Sequence, residues 1–74
     1  MKFVRRLGPQ VCWNTEGCPD ILELDTGDFV IIGEDITSEA SGRLPPGSAC
    51  GKDERVIRIP RHVLLNAKCE IPDA

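Results

Sequence analysis

The sequence predicts a mainly β (α+β) fold: a small antiparallel sheet or partly closed barrel of three to five strands, with one short C-terminal helix. Three observations lead there. Two apolar runs, Ile21-Leu22-Glu23-Leu24 and Phe29-Val30-Ile31-Ile32, flank the turn-forming stretch Asp25-Thr26-Gly27-Asp28, which is the signature of a β-hairpin. Downstream, Ile57 and Ile59 alternate with Val56 and Arg58 as in a half-buried strand, and Pro60 then suits the first position of a helix bearing the stripe Val63, Leu64 and Ala67. Finally, 74 residues suit one domain, and they are 41% hydrophobic and 28% charged, a globular composition.

In chain order, Lys2 to Leu7 reads as an edge strand of poor alternation, ended by Gly8-Pro9. Val11-Cys12-Trp13 is a short apolar patch before the polar turn Asn14-Thr15-Glu16-Gly17. In the hairpin, Asp25 suits a turn start and Gly27 tolerates positive φ. Phe29 to Ile32, apolar on both faces, is expected to lie centrally and covered on both sides. Gly33 marks a bend, and Glu34 to Thr37 extends the strand at an edge. Residues 38–53, rich in Ser, Gly and Pro, form a long, flexible loop within a single small domain spanning residues 1–74. The two-turn C-terminal helix is too short to stand alone and needs the sheet beneath it. The expected core is Leu22, Leu24, Phe29, Val30, Ile31, Ile32, Ile57, Ile59, Val63 and Leu64.

Charge and size narrow the functional classes. A chain this short encloses no large catalytic cavity. The net charge is −3 and the pI near 5.0, so bulk attraction to nucleic acid or anionic membrane is not expected. Phe3, Trp13 and Phe29 are the only aromatic residues, too few for base-stacking platforms. From Leu7 to Gly42 there are eight acids and no Lys or Arg, whereas both flanks are basic. One reading is that the basic ends fold against the acidic middle; a sharper one is an acidic face offered to a basic partner. The first residues carry no apolar run of leader length, and the longest apolar run is strand-sized. A cytoplasmic location, with free thiols as the default state, is the expectation.

The constellations that could carry chemistry are sparse. Asp25-Thr26-Gly27 is the tripeptide of aspartic proteases, whose chemistry needs two carboxylates sharing a proton. Here Ile31-Ile32-Gly33 follows only four residues after Gly27, and ordinary turn chemistry explains the tripeptide. Cys12, Cys18, Cys50 and Cys69 with His62 are sufficient in number for a structural zinc site, yet no two lie within the usual two-to-four-residue spacing. No metal and no cofactor is therefore expected. His62 could serve a cysteine nucleophile, but nothing in the spacing joins them. Arg55, Arg58 and Arg61 form a basic edge without a Gly-rich phosphate cradle, so nucleic acid is possible but not favoured. With no complete catalytic constellation, the expected function is a non-enzymatic interaction or regulatory module with a protein partner. Glu23, Asp25 and Asp28 at the hairpin tip are its candidate contact, and the Arg55/Arg58/Arg61 edge and a zinc-binding domain are the alternatives.

Gly17-Cys18-Pro19-Asp20-Ile21, Gly27-Asp28-Phe29-Val30-Ile31-Ile32-Gly33 and Glu54-Arg55-Val56-Ile57-Arg58-Ile59-Pro60 resemble a group of small uncharacterised actinobacterial proteins over about residues 17–67. Such proteins look like products of genes near helix-turn-helix regulators. The resemblance implies a regulatory neighbourhood and carries over no catalytic residue.

Overall fold

The computed structural model describes residues 1–8 and 18–73. The apolar patch around Val11 to Trp13, the turn Asn14 to Gly17 and the candidate ligand Cys12 lie outside the described residues.

The elements are β1 (Phe3–Arg6), β2 (Asp20–Leu24), β3 (Phe29–Ile32), β4 (Glu34–Asp35), α1 (Thr37–Ala40), β5 (Ile57–Arg58) and α2 (Arg61–Ala67), followed by a 3-10 turn at Lys68–Glu70. The first three strands form an antiparallel sheet in the order β1-β2-β3, and β4 pairs with β5 in a second, two-stranded sheet. The described strands form two open sheets and no closed barrel.

The hairpin is built as its turn residues require. Asp28 O accepts from Leu24 N at 2.9 Å, and Gly27 N donates to Leu24 O at 3.0 Å. Three residues thus bridge the strands, the last of them, Gly27, at φ +91°. This is the turn-plus-left-handed-residue closure of a three-residue hairpin loop. A Cβ at Gly27 would meet nothing within 4 Å, so any substitution penalty there is backbone strain alone. Gly27→Val is expected to destabilise the fold by about 1–3 kcal/mol. An unchanged melting temperature would contradict the left-handed turn.

The sheet register determines what is buried. Ile21 pairs with Ile31 and Glu23 with Phe29 on one sheet face; Leu22 pairs with Val30 and Asp20 with Ile32 on the other. The short helix α2 lies across the first face. Its residues Val63 and Ala67, one turn apart, join Leu7 and Ile21 as the buried core of the described residues, with Ile59 packed against them. Gly8 N donates to Glu70 Oε2 at 2.7 Å, and Arg5 Nη2 donates to Glu70 O at 2.7 Å, fastening the helical end over β1.

This core differs from the expected one. Of the ten residues expected there, Val63 is buried and Ile59 packs against the cluster, while Phe29, Ile31, Ile32, Ile57 and Leu64 are exposed. Leu22, Leu24 and Val30 are half-buried. On the sheet face shared with α2, where Phe29 and Ile31 lie, the physical reason is the length of α2. Seven residues span only about 10 Å, enough to cover β2 and the end of β1 but not β3 as well. In the strand order β1-β2-β3, β3 is an edge strand among the described residues, not a central one. Leu64 was expected to share the inward stripe, but inward positions recur every three to four residues, and Val63 and Ala67 already fill them.

The second sheet is narrower than expected. The strand read over Arg55 to Ile59 pairs only at Ile57–Arg58, against Asp35 and Glu34. Strand β4 stops at Asp35 because Asp35 Oδ1 accepts from Thr37 N (3.0 Å) and Thr37 Oγ1 (2.6 Å), turning the chain into α1. Residues 38–53 leave and return at one base, where Ile36 N donates to Val56 O and Val56 N donates to Thr37 Oγ1, both at 2.9 Å. Within that excursion lie α1 from Thr37 onward and turns closed by Pro45 O with Ser48 N and by Gly51 O with Glu54 N.

Candidate functional site

The ion pairs decide which charged residues are available. Arg5 Nε meets Glu23 Oε1 at 2.9 Å, and Arg6 Nε meets Asp20 Oδ2 at 2.8 Å. Both join the basic N-terminal strand to β2, and exposed pairs of this kind are worth about 0–1 kcal/mol each. Arg58 gives Nη2 at 2.5 Å and Nε at 3.0 Å to the same Glu34 Oε1. This contact raises the Arg58 pKa above its ordinary value, the hydrogen bond being the largest cause and the charge of Glu34 the next. The basic flanks thus fold onto the acidic middle at these three points.

The hairpin-tip acids separate under this accounting. Glu23, at 16% side-chain exposure, is held by Arg5. Asp25 and Asp28 are exposed. Asp25 Oδ1 accepts only a long bond from Lys2 N (3.3 Å), and Asp28 Oδ2 accepts from Thr26 Oγ1 at 3.1 Å. Neither carboxylate is paired with a cationic side chain among the described residues. Two of the three acids expected to form one contact therefore stand unneutralised, and the third belongs to the fold.

The basic edge is dispersed. Arg58 is bound to Glu34, and Arg55 Nη1 donates to the carbonyls of Lys52 (3.1 Å) and Glu54 (2.6 Å). Arg61 is exposed at the start of α2. Asp35 has its pKa held below the ordinary carboxylate value, first by the Thr37 hydroxyl, then by the Thr37 backbone N–H, with the charge of Arg55 adding a smaller effect.

Cys18 is disulfide-bonded, whereas Cys50 and Cys69 are free. The default of free thiols therefore fails at Cys18, and a disulfide sulfur offers no thiolate to zinc. Cys50 Sγ makes only a weak contact with Gly51 O at 3.8 Å. Among the described residues no three His, Cys, Asp or Glu side chains are placed to hold a metal ion, and His62 is exposed on α2. No described helix is long and apolar enough to cross a membrane.

Two features were not legible as site residues. A cleft of about 500 Å³ opens where β3 passes into β4, with Cys18, Ile32, Glu34, Arg58, Ile59 and Pro60 among its walls. Its lining is mostly aliphatic, with the Glu34–Arg58 pair as its charged part, and it holds no nucleophile–base pair. The other is the outward display of Phe29 and Ile31, 41% and 48% exposed on the same sheet face as α2. Their apolar character was plain in the sequence; their exposure depends on how far α2 reaches. Comparisons with protein-family models, curated proteins and solved structures return no match.

Proposed function

We propose that the chain is a non-enzymatic interaction and regulatory module that presents Asp25 and Asp28, at the tip of the β2–β3 hairpin, to a basic protein partner. The observation that supports this reading is the distribution of ion pairs. Glu23, Asp20 and Glu34 are neutralised by arginines of the chain itself, whereas the two tip carboxylates have no cationic side-chain partner among the described residues. A basic partner relieves their repulsion and is steered toward them. The Arg58–Glu34 pair likewise disfavours the Arg55/Arg58/Arg61 edge as a nucleic-acid contact. The resemblance of residues 17–67 to proteins encoded beside helix-turn-helix regulators supports a role in transcriptional control.

The test compares the wild type with the double variant Asp25→Asn, Asp28→Asn against the protein partner captured from the host. Both side chains are exposed and bonded only within or beside the turn, so folding survives. The association rate is expected to fall about threefold or more at low salt, with the difference vanishing above the ionic strength that screens surface charges. An unchanged rate and salt dependence would overturn the reading.

A further inference from the structure

We infer that the outer edge of β3 is a self-association seam: two copies of this chain join β3 to β3 antiparallel, with Phe29 of each opposite Ile31 of the other. Ile21 O accepts from Leu7 N and Asp25 N donates to Lys2 O, so the odd-numbered residues of β2 bond toward β1. The even-numbered ones bond toward β3, as Leu24 N does to Asp28 O. Because bonding direction alternates along a strand, Asp28, Val30 and Ile32 direct their backbone groups to β2. Phe29 and Ile31 direct theirs outward, where no described strand meets them.

The occupant follows from what those groups accept. An antiparallel partner must place its own outward-bonding residues directly opposite, so odd faces odd. For a two-fold pair built around β3, this leaves two central registers. With Ile31 on the axis, Phe29 stands opposite Gly33 of the other copy, which offers the ring no side chain to pack against. With Val30 on the axis, Phe29 stands opposite Ile31 in both directions, and Asp28 faces the uncharged Ile32. The second register sets an aromatic residue against a β-branched one twice, a favourable cross-strand pair. Phe29 and Ile31 lie on the α2 face, beyond the reach of that helix, so the second copy covers the side chains the fold leaves open.

The edges also limit the assembly to two. β3 carries no charge and no proline along Phe29-Val30-Ile31-Ile32, whereas the opposite edge, β1, carries Arg5 and Arg6 and a register irregularity between Phe3 and Arg5. Such features block edge pairing. An isologous β3 seam therefore closes on itself instead of propagating. Two four-residue strands bury much less than the roughly 1,200–2,000 Å² of a stable interface, so association is weak and reversible.

The experiment is sedimentation equilibrium of the full chain, with Cys50 and Cys69 alkylated, from about 10 µM to about 1 mM, the range in which a weak, reversible association is populated. The weight-average mass is expected to rise from 8.1 kDa toward twice that value. Ile31→Lys is expected to weaken association at least tenfold, while Leu64→Lys on the outer face of α2 leaves it unchanged. A mass that stays at 8.1 kDa, growth beyond two copies, or equal association of the Ile31→Lys chain overturns the seam. A mixed sample of labelled and unlabelled wild-type chain tests the register without any substitution. Intermolecular contacts between the Phe29 ring and the Ile31 methyl groups support it; Ile31 contacts only to Ile31 overturn it. The single tip variant Asp25→Asn lies in the turn, outside the paired β3 residues, so the seam and the partner contact fail independently.

Discussion

Ile21→Ala is expected to cost about 2–5 kcal/mol, the range for removing a buried aliphatic side chain from a packed core. Ile21 is 4% exposed on the central strand and is one of the four buried hydrophobic residues among the described residues, with Leu7, Val63 and Ala67. At about 0.05–0.15 kcal/mol per residue, the whole stability of a chain this long is on the order of 4–11 kcal/mol. A single truncation thus removes about a fifth of it or more, and the melting temperature falls by about 8 °C or more. Neighbouring side chains have little means of closing the cavity, since the second layer above Ile21 is one seven-residue helix. Ile32→Ala is the control. Ile32 lies on the other sheet face, half-exposed, and its truncation is expected to cost less than about 1 kcal/mol. Equal losses by thermal denaturation would show that the core is not under α2.

Gly33→Ala is the second large effect, and it arises from space alone. A Cβ there would stand 2.7 Å from Arg58 O, 2.7 Å from Ile57 Cγ2 and 2.7 Å from Ile59 Cγ2. Methyl groups could rotate aside, but the Arg58 carbonyl is backbone and moves only with β5. Overpacking of this kind costs about 1–3 kcal/mol or more. The expected result is a separation of β4 from β5, with loss of the Arg58–Glu34 contact and of hydrogen-exchange protection at Ile36 N, which donates to Val56 O. Intact protection at Ile36 together with an unchanged melting temperature would contradict the close approach at Gly33.

The hairpin was readable because its determinants are local. Alternating apolar residues, an aspartate at the turn start and a glycine where φ must be positive all lie within twelve residues, Ile21 to Ile32. The same holds for the helix after Pro60, although it begins at Arg61, with Pro60 extended before it. The charge pattern was readable at the level of segments. Basic flanks around an acidic middle implied neutralisation, and Arg5–Glu23, Arg6–Asp20 and Arg58–Glu34 are that neutralisation. Which acid stays free was not readable, because it depends on strand register. Glu23 lies opposite Arg5 across β1–β2, a relation between residues eighteen apart in the chain.

Local chemistry therefore suffices for the β2–β3 hairpin, the turn at Gly27, the short C-terminal helix and the direction in which charge is balanced. Each depends on neighbours a few residues away, where propensity and alternation act. Burial is a tertiary matter. Phe29-Val30-Ile31-Ile32 has the composition of a buried central strand, yet it lies at an edge, because sheet order and the reach of α2, not hydrophobicity, decide what is covered. Gly33 likewise shows nothing special in its own segment; the backbone that excludes a side chain there comes from β5, twenty-five residues downstream at Arg58. The unneutralised tip acids and the outward edge of β3 are what remains after distant segments have met, so both candidate contacts come from packing between residues far apart in the chain.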